Sequence, residues 1–293
     1  MSNSRRKNNF RNPLLLRKIQ KRWDETKEVK TYYDEKSESY DKTFDMLYYK
    51  IYDAITWKYI EPYVPIDPNA LVLDAGGGTG RWAIQMARKG CKVVLVDISE
   101  RMLKIAAEKV TKEELQNIIT IKEGDITKTG YADETFDMIL CEHALFLFKE
   151  PDIVIKELKR ILKRKARLII SVHNRYVQSL VSLPEKPSLD KVDDALNILL
   201  RKRYGSMTEN GKVKIYTWTP DEFRTMLERN GLRVEKIVGK GVTMPLRISK
   251  ELFMKKKYPD DLFNKLLQFE LALCEKPDAL ALAGHLQAIT YKA

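Results

Sequence analysis

Cysteine and histidine are scarce, with three of each in 293 residues. Cys91, Cys141 and Cys274 are odd in number and far apart, and no Cys-x-x-Cys pair occurs. This argues against a disulfide framework and against a structural zinc site built from Cys and His, so no metal is expected. No run approaches the ~18 uncharged apolar residues of a membrane-spanning helix, so integral membrane association is not expected. The densest run, residues 144–148, is far too short. The opening Met-Ser-Asn-Ser-Arg-Arg-Lys lacks the apolar stretch of a secretory signal. The expectation is a soluble protein of a reducing, cytoplasmic compartment.

Hydrophobic residues make up 44% of the chain and charged residues 32%. That is enough apolar material to bury a substantial core, which rules out wholesale disorder. The length fits one large or elaborated domain. The net charge of +12 is unevenly placed: residues 1–30 hold ten Lys/Arg against three acids. The basicity is therefore mostly that of an N-terminal arm, which could attract nucleic acid or an anionic surface, or be a solvated terminus.

Leu14, Leu15, Leu16, Ile19 and Trp23 suggest an amphipathic helix after Pro13, and Leu47, Ile51 and Ile55 mark a second near residues 43–60. The segment Pro62-Tyr-Val-Pro65-Ile-Asp-Pro68 breaks the chain. The reading is a basic arm and helical cover over residues 1–62 and a core domain over 63–293. From residue 70 the pattern alternates. Strand candidates at 70–74, 92–97, 118–121, 136–141 and 166–172 are separated by amphipathic helices, with Val154, Leu158, Ile161 and Leu162 marking one of them. Near-continuous apolar strands of this kind signal a parallel sheet covered on both faces. Thr219-Pro220-Asp221-Glu222 is a strong helix start, Asn230-Gly231 a stop, and 232–238 and 286–291 the last strands. Segments 175–215 and 240–284 are long insertions, read with the N-terminal helices as lids over the active face. The basic run Lys163-Arg164-Lys165-x-Arg167 reads as a solvated helix end.

The sharpest local signal is Val72-Leu-Asp74-Ala-Gly76-Gly77-Gly78-Thr79-Gly80-Arg81. A strand ends in a carboxylate, glycines let the backbone turn tightly against a ligand, and a helix N-terminus follows. This suits a nucleotide-like cofactor lying across the carboxyl ends of parallel strands. The dinucleotide fingerprint fails, because Arg81 or Thr79 stands where it needs glycine, and the Gly-Lys-Ser/Thr of a P-loop is absent. What matches is Gly76-x-Gly78-x-Gly80. Asp97, at the tip of the next strand, can accept two hydrogen bonds from ribose hydroxyls. Gly124-Asp125-Ile126 can contact an adenine, and Phe136-Asp137-Met-Ile-Leu-Cys141-Glu142-His143 ends a strand in polar residues beside the cleft.

Together these motifs resemble the class I S-adenosylmethionine-dependent methyltransferases, in the branch of ubiquinone/menaquinone-type and other small-molecule enzymes. The resemblance covers residues 30–175 well, and 216–239 and 285–292 less specifically. Tyr33-Asp34 and Tyr40-Asp41 look like the tyrosine-containing entry motif of that branch, though both tyrosines also fit ordinary packing. The likeness implies a Rossmann-like α/β fold: a seven-stranded, mostly parallel sheet with an antiparallel last strand, helices on both faces and helical cap insertions. It implies that Asp74 and Gly76–Gly80 (Gly76, Gly78 and Gly80 above all) surround the methionine portion of S-adenosyl-L-methionine (product S-adenosyl-L-homocysteine), with Ala75 also at the cofactor. Asp97 would hold the ribose and Asp125 and Ile126 would frame the adenine, with Tyr33, Tyr40, Ile98, Met102 and Cys141 completing the wall. Cys141 reads as a buried small side chain rather than a nucleophile.

Methyl transfer from a sulfonium leaves the protein mainly to align the acceptor and exclude water. For an acceptor that must lose a proton, His143, Glu142 and His173 are base candidates by position; each histidine alone also fits a structural role. No Asn/Asp-Pro-Pro-Tyr/Phe sequence follows the fourth strand and there is no Pro-Cys pair, which argues against amino-directed nucleic-acid enzymes and cytosine-C5 enzymes. The leading expectation is an enzyme for a small-molecule acceptor. Its rivals are a tRNA or rRNA methyltransferase guided by residues 1–30, and a cofactor-binding protein without catalysis.

Overall fold

The computed structural model describes residues 13–184, 186, 188–208, 211–243 and 254–292, with side chains from Thr26 on, Lys202 apart. The apolar face expected at Leu14–Trp23 and most of the basic arm fall outside these side chains; the helix itself begins at Pro13.

Two helices open the described chain, α1 (Pro13–Thr43) and α2 (Leu47–Lys58), followed by a 3-10 turn at Glu61–Tyr63. Alternation then sets in: β1 (Leu71–Ala75), α3 (Arg81–Ala87), β2 (Lys92–Asp97), α4 (Glu100–Lys112), β3 (Ile119–Glu123), β4 (Phe136–Cys141), α5 (Pro151–Ile161) and β5 (Leu162–Asn174). The second half holds α6 (Arg175–Val181), α7 (Leu189–Leu196), a π-helical stretch at Asn197–Lys202, β6 (Tyr204–Ser206), β7 (Lys214–Trp218), α8 (Pro220–Arg229) and β8 (Leu232–Lys240). After these come α9 (Asp260–Leu273), α10 (Pro277–Leu280) and β9 (His285–Lys292).

Local chemistry sets several of these boundaries. Ser99 Oγ accepts from Met102 N at 3.2 Å and caps α4. Thr219 and Glu222 form the reciprocal cap of α8, which ends at Asn230 with Gly231 at φ +76°. Leu162, expected to extend helix α5, is instead its extended C-cap and opens β5. The basic run 163–167 therefore lies on a strand, where Lys163 pairs with Asp137 at 2.8 Å and Arg167 with Glu235 at 2.9 Å.

The sheet runs β3-β2-β1-β4-β5-β9-β8, parallel through β5, with β9 antiparallel to both β5 and β8. The expected seven strands are thus present, but the sheet has nine. The additional pair is the β6–β7 hairpin at the end of the first insertion, joined to β5 through His173↔Thr217 and Asn174↔Trp218. Alternation along each inner strand divides the core into two layers. Val72, Val93 and Leu95 pack under α2, α3 and α4, whereas Leu73, Val94 and Val96 pack with α5 and α8. Helix α2 belongs to the first layer through Leu47, Ile51, Tyr52 and Ile55, all nearly or fully buried, so it is core as well as cover.

Candidate active site

The glycine-rich loop is tied to the neighbouring strand: Gly76 N donates to Val96 O at 2.7 Å and Gly80 N to Gly77 O at 2.9 Å. Gly76 (φ +77°) admits no side chain, since a Cβ there would stand 2.6 Å from Ala144 Cβ. Gly78 (φ +54°) differs: a Cβ there meets nothing within 4 Å, because this stretch of backbone borders open space.

That space is a cavity of about 220 Å³ at the carboxyl ends of β1, β2 and β4. Roughly 10–15 Å³ suffices for one water, so it is ligand-sized. Gly76–Thr79, Asp97, Ile98, Met102, Asp125, Ile126, Glu142 and His143 line it, and α1 contributes Thr26, Val29, Tyr33 and Tyr40. Asp97 Oδ2 accepts from Gly78 N and Oδ1 from Ser99 N, both at 2.9 Å. Burial raises its pKa and those two backbone donors oppose the rise. Asp125 Oδ1 accepts from Thr127 N at 2.8 Å.

The two Tyr-Asp pairs of α1 divide their work. Tyr33 and Tyr40 face the cavity and meet edge to face at 6.2 Å. The aspartates fasten the helix to the core: Asp34 Oδ1 accepts from Ser99 Oγ at 2.5 Å, and Asp41 Oδ1 from Thr79 Oγ1 at 2.7 Å. Lys109 binds Asp41 at 2.9 Å. Arg81 reaches Asp53 of α2 at 2.5 Å and stacks on Phe44 at 3.6 Å.

Several predicted residues lie behind the wall. Asp74 Oδ2 accepts from Ala83 N at 3.0 Å, so it anchors the start of α3. Burial pushes its pKa up to about 7 against that hydrogen bond. Ala75 and Cys141 are fully buried in the layer beneath α5, and Gly80 abuts Leu95 and Ala106. His173 sits beside Phe146, with ring centroids 4.3 Å apart. Of the expected covers, α1 lines the cavity, and among the described residues neither 175–215 nor 240–284 does.

Beneath His143 is a network only partly foreseen. Glu142 Oε1 accepts from Lys240 Nζ at 2.5 Å and from Tyr52 Oη at 3.0 Å, and the side chains of Glu142 and Lys240 are wholly buried. His143 Nε2 lies 2.7 Å from Tyr52 Oη. That contact occupies Nε2 and leaves Nδ1 as the second ring nitrogen of His143. Burial and the nearby Lys240 hold His143 neutral, its pKa well below the usual range. Lys240 and His285 lie at the ends of β8 and β9, just beyond the apolar stretches 232–238 and 286–291 that mark these strands in the sequence. A polar side chain in phase with the inward residues at a strand end was the available signal.

Comparison with known proteins agrees with this geometry. Residues 73–170 match the methyltransferase domain family. A ubiquinone/menaquinone biosynthesis C-methyltransferase of Agrobacterium fabrum is 26% identical over 54% of this chain and 59% of its own length. A demethylmenaquinone methyltransferase of Lactiplantibacillus plantarum is 33% identical over 34% and 44%. The chain spans about half the length of the curated relatives it matches. Among solved structures, the geranyl diphosphate C-methyltransferase of Streptomyces coelicolor aligns with a TM-score of 0.53 at 13% identity, over 82% of this chain and 77% of that one. The [4+2]-cyclase SpnF aligns with the same score at 18% identity, over 81% and 79%. Residues 73–170 thus carry a methyltransferase domain, and the fold around them is that of the solved S-adenosylmethionine-dependent methyltransferases.

Proposed function

We propose that this protein transfers a methyl group from S-adenosylmethionine to a small-molecule acceptor. The observation that carries the reading is the convergence on one cavity of Gly76–Thr79, Asp97, Asp125, the two α1 tyrosines, Glu142 and His143. The residues fit the cofactor on this structure's own terms: the Gly78 backbone borders open space, and a buried carboxylate, Asp97, stands at the next strand tip. Asp97 would hold the ribose, Asp125 and Ile126 the adenine, and the glycine loop the methionine portion.

When bound, the cofactor supplies an activated methyl group for in-line displacement. The chain supplies alignment and dryness. Tyr33 and Tyr40 close the cavity from α1, and Arg81, stacked on Phe44 and paired with Asp53, fixes α2 against the loop. His143 is the titratable group placed at the cavity to receive a proton from a hydroxyl or acidic-carbon acceptor; Glu142, wholly buried beneath it, positions it through Tyr52, and His173 is out of the cavity. Menaquinone-type relatives favour an aromatic or quinol acceptor.

Calorimetry with S-adenosylmethionine and S-adenosylhomocysteine, followed by a labelled-methyl screen of quinols, phenols, amines and transfer RNA, tests this. Binding together with label in a small molecule is expected. No binding at millimolar cofactor overturns the cofactor reading. Label confined to RNA, lost steeply as salt rises, overturns the acceptor class.

A further inference from the structure

The three histidines of this chain converge. Antiparallel pairing sets His173 of β5 opposite His285 of β9, and His285 opposite Lys240 of β8, so all three project from the same face of the sheet toward α2. His143 arrives from the turn after β4 with φ +57°, a left-handed conformation that few residues other than glycine adopt. The rings of His173 and His285 stand 4.2 Å apart and those of His143 and His285 4.8 Å. One ring nitrogen from each histidine lies within 4.8 Å of the other two. Both ring nitrogens of His285 are sealed from solvent and have no hydrogen-bond partner among the described residues, an arrangement that costs free energy unless something binds there.

We propose that His143, His173 and His285 form a binding site for a divalent transition-metal ion of the zinc class. Imidazole nitrogens suit zinc, iron, nickel and copper, and three histidines leave a coordination position open. A metal–nitrogen distance of about 2.0–2.1 Å sets tetrahedral ligands about 3.3 Å apart, so the rings close by about 1.5 Å at most through side-chain rotation. The second nitrogen of His143 is already held by Tyr52, which is in turn held by Glu142, and this leaves Nδ1 as the ligating atom. The Lys240 ammonium does not oppose a cation with its full charge, being neutralised by Glu142 at 2.5 Å. His143 also lines the cavity, so the cluster borders the open space through which an ion would enter.

The site is independent of the cofactor reading, and the test needs no cofactor and no turnover. The full chain, free of any histidine tag, is titrated with cobalt(II) and followed by visible absorption. Saturable one-to-one uptake with the ligand-field bands of low-coordinate cobalt is expected, displaced by zinc. Conservative His173→Asn and His285→Asn variants that retain near-ultraviolet dichroism should each weaken uptake at least tenfold. The proposal is overturned by absence of a spectral response in the unaltered chain. It is also overturned by undiminished uptake in the folded variants, or by a thiolate-to-cobalt charge-transfer band, which would put the ion on a cysteine.

Discussion

Thr79 Oγ1, in the glycine-rich loop, donates to Asp41 Oδ1 of α1 at 2.7 Å, and Lys109 of α4 holds the same aspartate at 2.9 Å. The cover helix and the loop beneath it are therefore one hydrogen-bonded unit. Asp41→Ala should weaken S-adenosylhomocysteine binding by about 1–2 kcal/mol, the scale of hydrogen bonds to a charged group, because α1 loses an anchor beside Tyr40. Since Asp41 is partly exposed, global unfolding should shift little. Calorimetry paired with limited proteolysis of α1 checks this; unchanged affinity and unchanged protection would remove the clamp from the account.

Asp97 has a different part. It organises the loop through Gly78 N and Ser99 N before any ligand arrives. Asp97→Ala is expected to cost about 1–3 kcal/mol in cofactor affinity, combining a lost ligand contact with a looser loop. Asp97→Asn, which keeps one acceptor oxygen, should cost less. Equal affinities for both variants and the unaltered chain, measured by calorimetry on folded protein, would refute the role.

The parallel half of the sheet was legible because each inner strand is a short apolar run ending in a polar residue, and helix caps such as Ser99 and Thr219–Glu222 are written in local chemistry. The lining of the cavity was legible for the same reason, since Gly76, Gly78, Asp97 and Asp125 all lie at strand ends. The floor of the site was not. Tyr52, Lys240 and His285 meet only through the pairing of β8, β9 and β5 and the packing of α2, and that register has no signature in any one segment. The partner of Asp74 was not legible either, because a strand-end carboxylate can equally face a helix N-terminus, as it does here at Ala83 N.

Gly78 tests the cavity's shape. Its Cβ direction is open, so Gly78→Val should fill the cofactor's approach without a steric clash in the unliganded protein. The φ of +54° adds strain of about 1–3 kcal/mol for a branched residue. Binding should fall beyond detection while far-ultraviolet dichroism persists, and Gly78→Ala should show a milder loss. Normal affinity in the valine variant would move the ligand elsewhere.

Acid stability has an identifiable contributor. Burial would raise the pKa of Glu157, but hydrogen bonds from Arg160 and Thr129 outweigh this and hold it down to about 2. A depressed carboxylate stabilises the fold fully above its unfolded pKa near 4.5, and the contribution fades as pH falls from there through 2. The Glu157 side chain is 12% exposed and that of Arg160 36%. Solvent screening of the partner therefore limits the contribution to about 1–2 kcal/mol. Glu157→Gln should lose that amount at pH 7 and almost nothing at pH 2, as measured by denaturant unfolding at both. A pH-independent loss would mean that packing, not charge, is at stake.

The Glu142–Lys240 pair makes the sharpest energetic prediction. Both side chains are fully excluded from solvent, and burial lowers the Lys240 pKa even though Glu142 opposes it. Lys240→Met strands a carboxylate whose Oε2 already has no partner among the described residues. Breaking a buried pair from one side costs about 3–5 kcal/mol, because the remaining charge is uncompensated. Replacing both, Glu142→Gln with Lys240→Met, removes the charge altogether and should recover more than half of that loss. The two effects are therefore strongly non-additive. Urea unfolding of the two single variants and the double variant measures the coupling. Additive losses would show that the two groups do not share one dry compartment, and the network beneath His143 would have to be redrawn.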